Sequence, residues 1–389
     1  MRVVGMMSGT SYDAVDLAAA DFQFDGDTVV ASLLGTSGVP VPAELRRRIA
    51  AALPPARTTL EEVCRLDTEL GQLFGAAARQ AVDELTDGTA ELVVSHGQTM
   101  YHWVDAGRAL GTLQLGSPAW IAEACGCPVV SDLRTRDITR GGQGAPLVSL
   151  LDAMLVLGDG EPRGALNLGG IANITLRRAG DVLAWDVGPA NALIDAAVTR
   201  LSGGTERMDT GGVRASRGHV RQDLLDALLA EPYYALPPPK STGKELFHGE
   251  YVDPFAAALD EPVTPDDLVA TLTELTATLV GRTCLGESLT ELVVSGGGSA
   301  NPALMARIAA HCGTATVTTI DAYGMPSDAK EAYAFALLGF LTVHGVPGTI
   351  ATATGAAAPS VLGSMTPGPA PLRLPPPAPT TPCRLVIAS

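Results

Sequence analysis

The chain has no C-x-x-C pair, no apolar run long enough to span a bilayer, no excess of positive charge and no Gly-x-x-x-x-Gly-Lys-Ser/Thr loop. Each absence removes a class of function. The six cysteines, Cys64, Cys125, Cys127, Cys284, Cys312 and Cys383, are scattered, with a single C-x-C at Cys125/Cys127. That spacing does not suit a structural zinc site, and scattered thiols read as reduced, which gives a cytoplasmic expectation. The Ala/Leu/Val runs stop short of the ~18–20 residues of a membrane helix. No signal-peptide pattern is expected, since Arg2 is the only basic residue before the first strand pattern. A formal net charge of -16 argues against nucleic acid or an anionic membrane as partner. It leaves room for a small anionic ligand, which backbone N–H groups and single Arg side chains can bind in an acidic protein. The missing lysine-bearing loop excludes a P-loop nucleotide site.

What is present is a well-packed composition, 46% hydrophobic and 17% charged, in 389 residues. A single core rarely grows past ~250–300 residues, so two domains are expected. The first sixteen residues are the most informative. An apolar run meets a Gly9-Thr10-Ser11 turn, and a second apolar run follows. This predicts a β-hairpin whose backbone and hydroxyl donors can wrap a phosphate. Asp13 and Asp16 follow where a divalent cation would find oxygen ligands. Strands are predicted at Arg2–Ser8, Ala14–Phe22 and Thr28–Gly35, then helices over 42–88 broken at Pro54-Pro55. A short strand, Glu91–Ser95, is read as ending in a His96-Gly97-Gln98-Thr99 loop. Val129–Ser131 leads into Asp132, Arg134, Arg136 and Asp137, then Gly141-Gly142-Gln143-Gly144.

The pattern then restarts. Gly164–Leu168, Gly169-Gly170 and Ile171–Leu176 form a second glycine hairpin, and the strand Val182–Val187 leads to a helix from Ala192. A strand at Leu292–Ser295 runs into Gly296-Gly297-Gly298. The repeat points to a duplicated α/β domain, with three glycine turns suited to one nucleotide cleft. Asp186 ends an apolar strand, where a carboxylate is costly unless paired or used. It reads either as a general base or as a turn aspartate. Glu331 opens an apolar helix, as a functional carboxylate or a first-turn complement to the dipole. His96 is a ligand contact or a hydrogen-bonded structural residue, and the arginine cluster grips a ligand or forms a surface patch. Lys240-Ser241-Thr242-Gly243-Lys244 looks like a phosphate cradle, but it follows three prolines rather than a strand and so reads as a surface loop, with ligand contact as the alternative. The Pro-rich tail is expected outside the core or along its surface.

Taken together these segments resemble the anhydro-N-acetylmuramic acid kinase family, within the two-lobed actin-like and sugar-kinase ATPases. The resemblance runs from Val4 to about Gly363. It rests on Gly5-Met-Met-Ser-Gly-Thr-Ser-Tyr-Asp13, Ser95-His-Gly-Gln-Thr99, Leu113-Gln-Leu-Gly116, Asp132-Leu-Arg134 with Gly141-Gly-Gln-Gly-Ala-Pro-Leu147, and Asn167-Leu-Gly-Gly-Ile-Ala-Asn-Ile-Thr175. It continues through Asp186-Val-Gly-Pro-Ala-Asn-Ala192, Pro238-Pro-Lys-Ser-Thr-Gly-Lys-Glu-Leu-Phe247, Ser295-Gly-Gly-Gly298 with Asn301-Pro302, and Glu331-Ala-Tyr-Ala-Phe335.

The resemblance implies an ATP- and Mg²⁺-dependent kinase that hydrolytically opens 1,6-anhydro-N-acetylmuramate and phosphorylates O6, in peptidoglycan recycling. It implies a ribonuclease H-like duplicated fold with an interlobe nucleotide cleft, and a homodimer. Asp186 matches the catalytic aspartate. Gly9, Thr10, Ser11, Tyr12, Asp13, Ala14, Val15 and Asp16, with Gly169, Gly170, Gly297 and Gly298, would hold ATP, Asp13 facing Mg²⁺ through water. Arg134 and Glu331, with His96, Asp137 and Gln143, would face the sugar. Ala14, Val187 and Ala190 stand where the family has glycine, threonine and glycine. The expected lobes are 1–136 plus about 345–370, and 137–344, with 371–389 a Pro-rich tail.

Overall fold

The computed structural model describes the whole chain except Thr10, Asp159, Lys244, Glu245 and Ser389. Its strands are β1 (Arg2–Ser8), β2 (Ala14–Asp25), β3 (Thr28–Pro40), β4 (Leu92–Asp105), β5 (Arg108–Leu115), β6 (Val129–Ser131), β7 (Arg163–Leu168), β8 (Ile171–Arg178), β9 (Asp181–Pro189), β10 (Glu291–Ser295), β11 (Thr316–Thr319), β12 (Ser364–Thr366) and β13 (Arg384–Ile387). The chain divides into two compact units, Met1–Leu155 with Ala329–Ser389, and Val156–Asp328.

The first unit is built on an 8-stranded sheet in the order β12-β6-β4-β1-β2-β3-β13, with β5 paired to β4. The β1–β2–β3 meander is antiparallel, and β4 lies parallel to β1. Val4, Met6, Leu17 and Val93 face the helix Leu60–Thr86 through Leu66, Leu70 and Phe74. That helix starts where Thr59 accepts from the Glu62 amide at 3.1 Å, an N-cap. Side chains alternate across a strand, so Gly5 faces the opposite side. There the helix Lys330–Val343 sits at backbone distance: a Cβ on Gly5 would stand 2.1 Å from the Ala332 carbonyl oxygen. Gly339 meets Val94 the same way, also at 2.1 Å.

The second unit has a 5-stranded sheet in the order β11-β10-β7-β8-β9. Its antiparallel meander β7–β8–β9, with β10 parallel to β7 and β11 parallel to β10, repeats the plan of β3-β2-β1-β4-β6. The two units therefore carry one α/β topology twice, as the sequence repeat implies. Leu166, Leu168, Ile174 and Leu176 pack with Leu272, Leu275 and Leu279 of the helix Pro265–Gly286. Against the expectation of no membrane-length apolar segment, that 22-residue helix is by length and composition apolar enough to cross a bilayer, yet 72% of its apolar window is buried in the structure, as in a core helix.

Three expectations are corrected. His96-Gly97-Gln98-Thr99 is not a loop but the middle of β4, kinked at Gly97 with φ 75°. The tail lies mostly exposed along the surface, as expected, but its end is not outside the core: Arg384–Ile387 pairs in parallel with Thr28–Ala31, and Leu385 is buried at 4% exposure. The division falls at 155/156 and 328/329 rather than 136/137 and 344/345. Residues 137–155 belong with the first unit because Asp137 bonds Thr354 and Gln143 bonds the β5 amide of Ala109, and Lys330–Val343 because it packs on β1.

Candidate functional site

In the first unit the turn between β1 and β2 is short and exposed. The Tyr12 amide donates to the Gly9 carbonyl at 3.2 Å, and Tyr12 takes a positive φ of 43°. The Ser11 hydroxyl (2.5 Å) and the Ala14 amide (3.1 Å) both donate to Asp13 Oδ1. Asp13 Oδ2 has no partner among the described residues, and both Asp13 and Asp16 are exposed. Thr10 lies outside the described residues. Val15 is buried at 1% exposure, so its side chain belongs to the core and only its backbone can serve a ligand. Below the turn, the Ser8 hydroxyl donates to Gln98 Oε1 at 2.7 Å, and Gln98 Nε2 donates to the Gly9 carbonyl at 3.3 Å. Gln98 thus ties the turn to β4.

Beside the kink in β4, the buried His96 ring lies against Phe335, centroids 4.8 Å apart. Arg134 Nε donates to His96 Nε2 at 2.9 Å, and Arg134 Nη1 donates to the Gly144 carbonyl at 2.8 Å. Burial and the adjacent guanidinium push His96 down to about 3, so it is neutral at physiological pH. Glu331 opens the helix behind Phe335. Burial raises its pKa, while Lys330 and Arg134 pull it back. It forms no hydrogen bond among the described residues, although its charge acts on Arg134. Next to it, Lys330 and Asp152 form a buried ion pair at 2.5 Å, which the sequence reading did not anticipate.

Two residues expected at the sugar have their polar atoms engaged within the protein. Asp137 is fully buried. Its Oδ2 accepts from the Gly144 amide and its Oδ1 from the Thr354 hydroxyl, each at 2.8 Å. Gln143 spends both ends of its amide on the β4–β5 turn, accepting from the Ala109 amide and donating to the Gly107 carbonyl, each at 3.1 Å. Both side chains fix the 141–144 loop and so the carbonyl that holds Arg134.

In the second unit Asp186 lies on β9 at a bulge. Asn173 pairs with Asp186 and Ala172 with Gly188, leaving Val187 as the extra residue. Bulges re-aim side chains. Asp186 Oδ2 accepts from the Thr242 amide at 2.9 Å and the Ser241 hydroxyl at 3.1 Å. The Asp186 amide donates to the Lys240 carbonyl at 3.1 Å, and Tyr233 donates to the Asp186 carbonyl at 2.7 Å. The Lys240 ammonium stands 4.6 Å from the Tyr233 ring centre. The segment read as a surface loop is therefore the bracket of Asp186. Three prolines before a polar run were the only signal, and they do not say where the run docks. Lys244, part of that reading, lies outside the described residues.

The glycine turns differ from expectation in which groups they present. The Gly169 and Gly170 carbonyls accept from the Asn191, Ala190 and Ala192 amides at 3.0–3.1 Å, so this turn caps the next helix. The helix Pro302–His311 has its first amides taken by Asn301 Oδ1, which accepts from Ala303 and Leu304, each at 3.1 Å. The open backbone is instead at Gly297, exposed with nothing within 4 Å of a notional Cβ. Gly298 is buried, its notional Cβ 2.7 Å from Leu168 Cβ, which makes it a packing glycine.

The family model for anhydro-N-acetylmuramic acid kinase matches residues 1–368. Curated relatives bearing that same name come from Streptomyces avermitilis, 57% identical over 100% of both chains, and Streptomyces coelicolor, 56% identical over 97% of both. A third, from Rhodococcus erythropolis, is 54% identical over 95% of this chain and 94% of its own. With identity at this level along nearly the full length, the chain belongs to the anhydro-N-acetylmuramic acid kinase family.

Proposed function

We propose that this kinase converts 1,6-anhydro-N-acetylmuramate, ATP and water to N-acetylmuramate 6-phosphate and ADP, with Asp186 as the general base. The observation that carries the reading is the bracket on Asp186: two donors hold one carboxylate oxygen at the bulge of β9. A carboxylate so fixed can take a proton from water without reorienting. The water oxygen bonds to C1 as the C1–O6 bond breaks. O6 takes the γ-phosphoryl group, whose bond to the β–γ bridging oxygen breaks, and ADP leaves. Asp186 carries the water's proton and returns it to solvent. No acid need protonate O6, because the phosphoryl group captures it, so catalysis is mainly positioning and charge neutralisation. Arg134 and Glu331 bind the sugar.

The nucleotide would rest on the backbone of Gly9–Asp16 and of Gly297, while Gly169, Gly170 and Gly298, expected beside it, would serve by shaping their turns, through the helix cap and the close packing described above. The open backbone at Gly297 and the exposed turn before Asp13 suit close approach of phosphates. Among the described residues no group of three His, Cys, Asp or Glu could hold a metal by itself. Mg²⁺ is usually carried by phosphates and waters with one or two carboxylates. Asp13, with Oδ2 unengaged among the described residues, would face it through water. Bound there, Mg²⁺ supplies neutralisation of phosphate charge. The same reading makes the enzyme a cytoplasmic homodimer of peptidoglycan recycling. The test is ADP release with the anhydro sugar against free N-acetylmuramate and simple hexoses. Turnover with the anhydro sugar is expected; turnover only with another acceptor would overturn the reading.

A further inference from the structure

We infer that His96 is a positioning residue: its neutral imidazole accepts from Arg134 and leaves one edge of the guanidinium to bind ligand oxygen. The inference rests on the sugar-site reading of Arg134. The tautomer follows from the partners alone. His96 Nδ1 lies 2.7 Å from the Gly97 carbonyl oxygen, which can only accept, so Nδ1 carries the proton. Arg134 Nε can only donate, so Nε2 must present its lone pair. A protonated ring would set N–H against N–H and charge against charge. Gly97 makes the arrangement possible. At φ 75° its carbonyl turns back to the ring, and a Cβ there would stand 3.0 Å from both Gln114 Cβ and the Leu115 carbonyl.

The rest of the guanidinium is held as tightly. Nη1 donates to the Gly144 carbonyl, Gly144 is pinned through its amide by Asp137, and Asp137 is pinned by Thr354. Nη2 has no partner among the described residues, and the Glu331 carboxylate nearby in charge makes no bond to it. The pair therefore offers fixed donors and an acceptor to an oxygen-rich, anionic sugar. A guanidinium already oriented loses less entropy on binding than a free one.

The test compares His96→Gln, whose amide oxygen can stand near the place of Nε2, with His96→Leu, which has no acceptor. Hydrogen bonds to charged groups are worth enough that the Leu variant should lose about 30-fold in kcat/KM for the anhydro sugar. KM for ATP should stay near wild type, and the Gln variant should recover to within about fivefold. Equal loss in both variants, or no loss in either, would overturn the proposal. Nitrogen-15 spectra of histidine-labelled protein supply a readout that needs no turnover. The His96 ring should show a bare Nε2 and a protonated Nδ1 from about pH 5 to 8. An Nε2–H form, or titration in that range, would overturn the proposal. Absence of wild-type turnover on the anhydro sugar would instead count against the substrate, leaving the spectra to judge His96.

Discussion

Replacing Gly5 by alanine should damage stability and catalysis together, although Gly5 touches no proposed ligand. An added Cβ would lie 2.1 Å from the Ala332 carbonyl oxygen, 2.6 Å from the Ala336 amide nitrogen and 2.9 Å from Ala336 Cβ. Two of these three atoms are backbone, so no flexible side chain can give way. Moving from 2.1 Å to the 3.4 Å of ordinary contact requires a shift of about 1.3 Å between β1 and the helix Lys330–Val343. Overpacking a tight core costs roughly 1–3 kcal/mol, and a backbone clash belongs at the upper end. The helix carries Glu331 one residue before Ala332, so the carboxylate moves with it. A misplacement of about 1 Å can cost about 100-fold in rate. Urea unfolding should show a lower midpoint at unchanged slope, and ADP release should fall by one to two orders of magnitude. Gly286→Ala, with nothing within 4 Å of its added Cβ, is the control and should change neither. A Gly5→Ala protein with wild-type midpoint and turnover would refute the claim that this helix is seated at backbone distance.

Ser241→Ala removes the 3.1 Å donor to Asp186 and leaves the Thr242 amide in place. A fall in kcat of about 5- to 10-fold with ATP affinity retained is expected, measured by steady-state kinetics and ATP titration. Removing residues 369–389 deletes β13 and bares the edge of β3. The midpoint in urea should drop by the equivalent of about 2 kcal/mol, the worth of burying Leu385, with kcat preserved and self-association increased. Glu331 has its pKa raised by burial, so the folded state holds more protons than the unfolded state between the ordinary carboxylate pKa and the raised one. Stability therefore falls as pH rises through that window. Glu331→Gln should remove this fall, so its Tm advantage over wild type should grow from acid to neutral pH while turnover drops.

Local pattern carried the elements far. The short apolar runs in Arg2–Ser8 and Gly164–Leu168, each closed by a glycine turn, located strands that the structure repeats in both units, because a continuous apolar run of that length suits a strand buried on both faces. The commitments of polar side chains were not legible. Asp137 and Gln143 stand among arginines and glycines, as ligand contacts would, yet backbone groups distant in sequence, at Gly107, Ala109 and Gly144, use them. A Gly-Gly turn in sequence does not reveal whether it offers amides or carbonyls, and Gly169-Gly170 offers carbonyls to a helix. The docking of 240–242 on Asp186 and of Arg384–Ile387 on β3 are long-range pairings set by tertiary packing, which short windows cannot register.

The central claim is that Asp186 is the base that opens the sugar, and Asp186→Asn tests it most directly. Asparagine keeps the size and the acceptor oxygen that Ser241 and Thr242 hold, but it cannot take a proton. Measured as ADP released from ATP and 1,6-anhydro-N-acetylmuramate, kcat should fall by about 100-fold or more, with ATP binding retained. Wild-type turnover in the Asn variant would contradict the account.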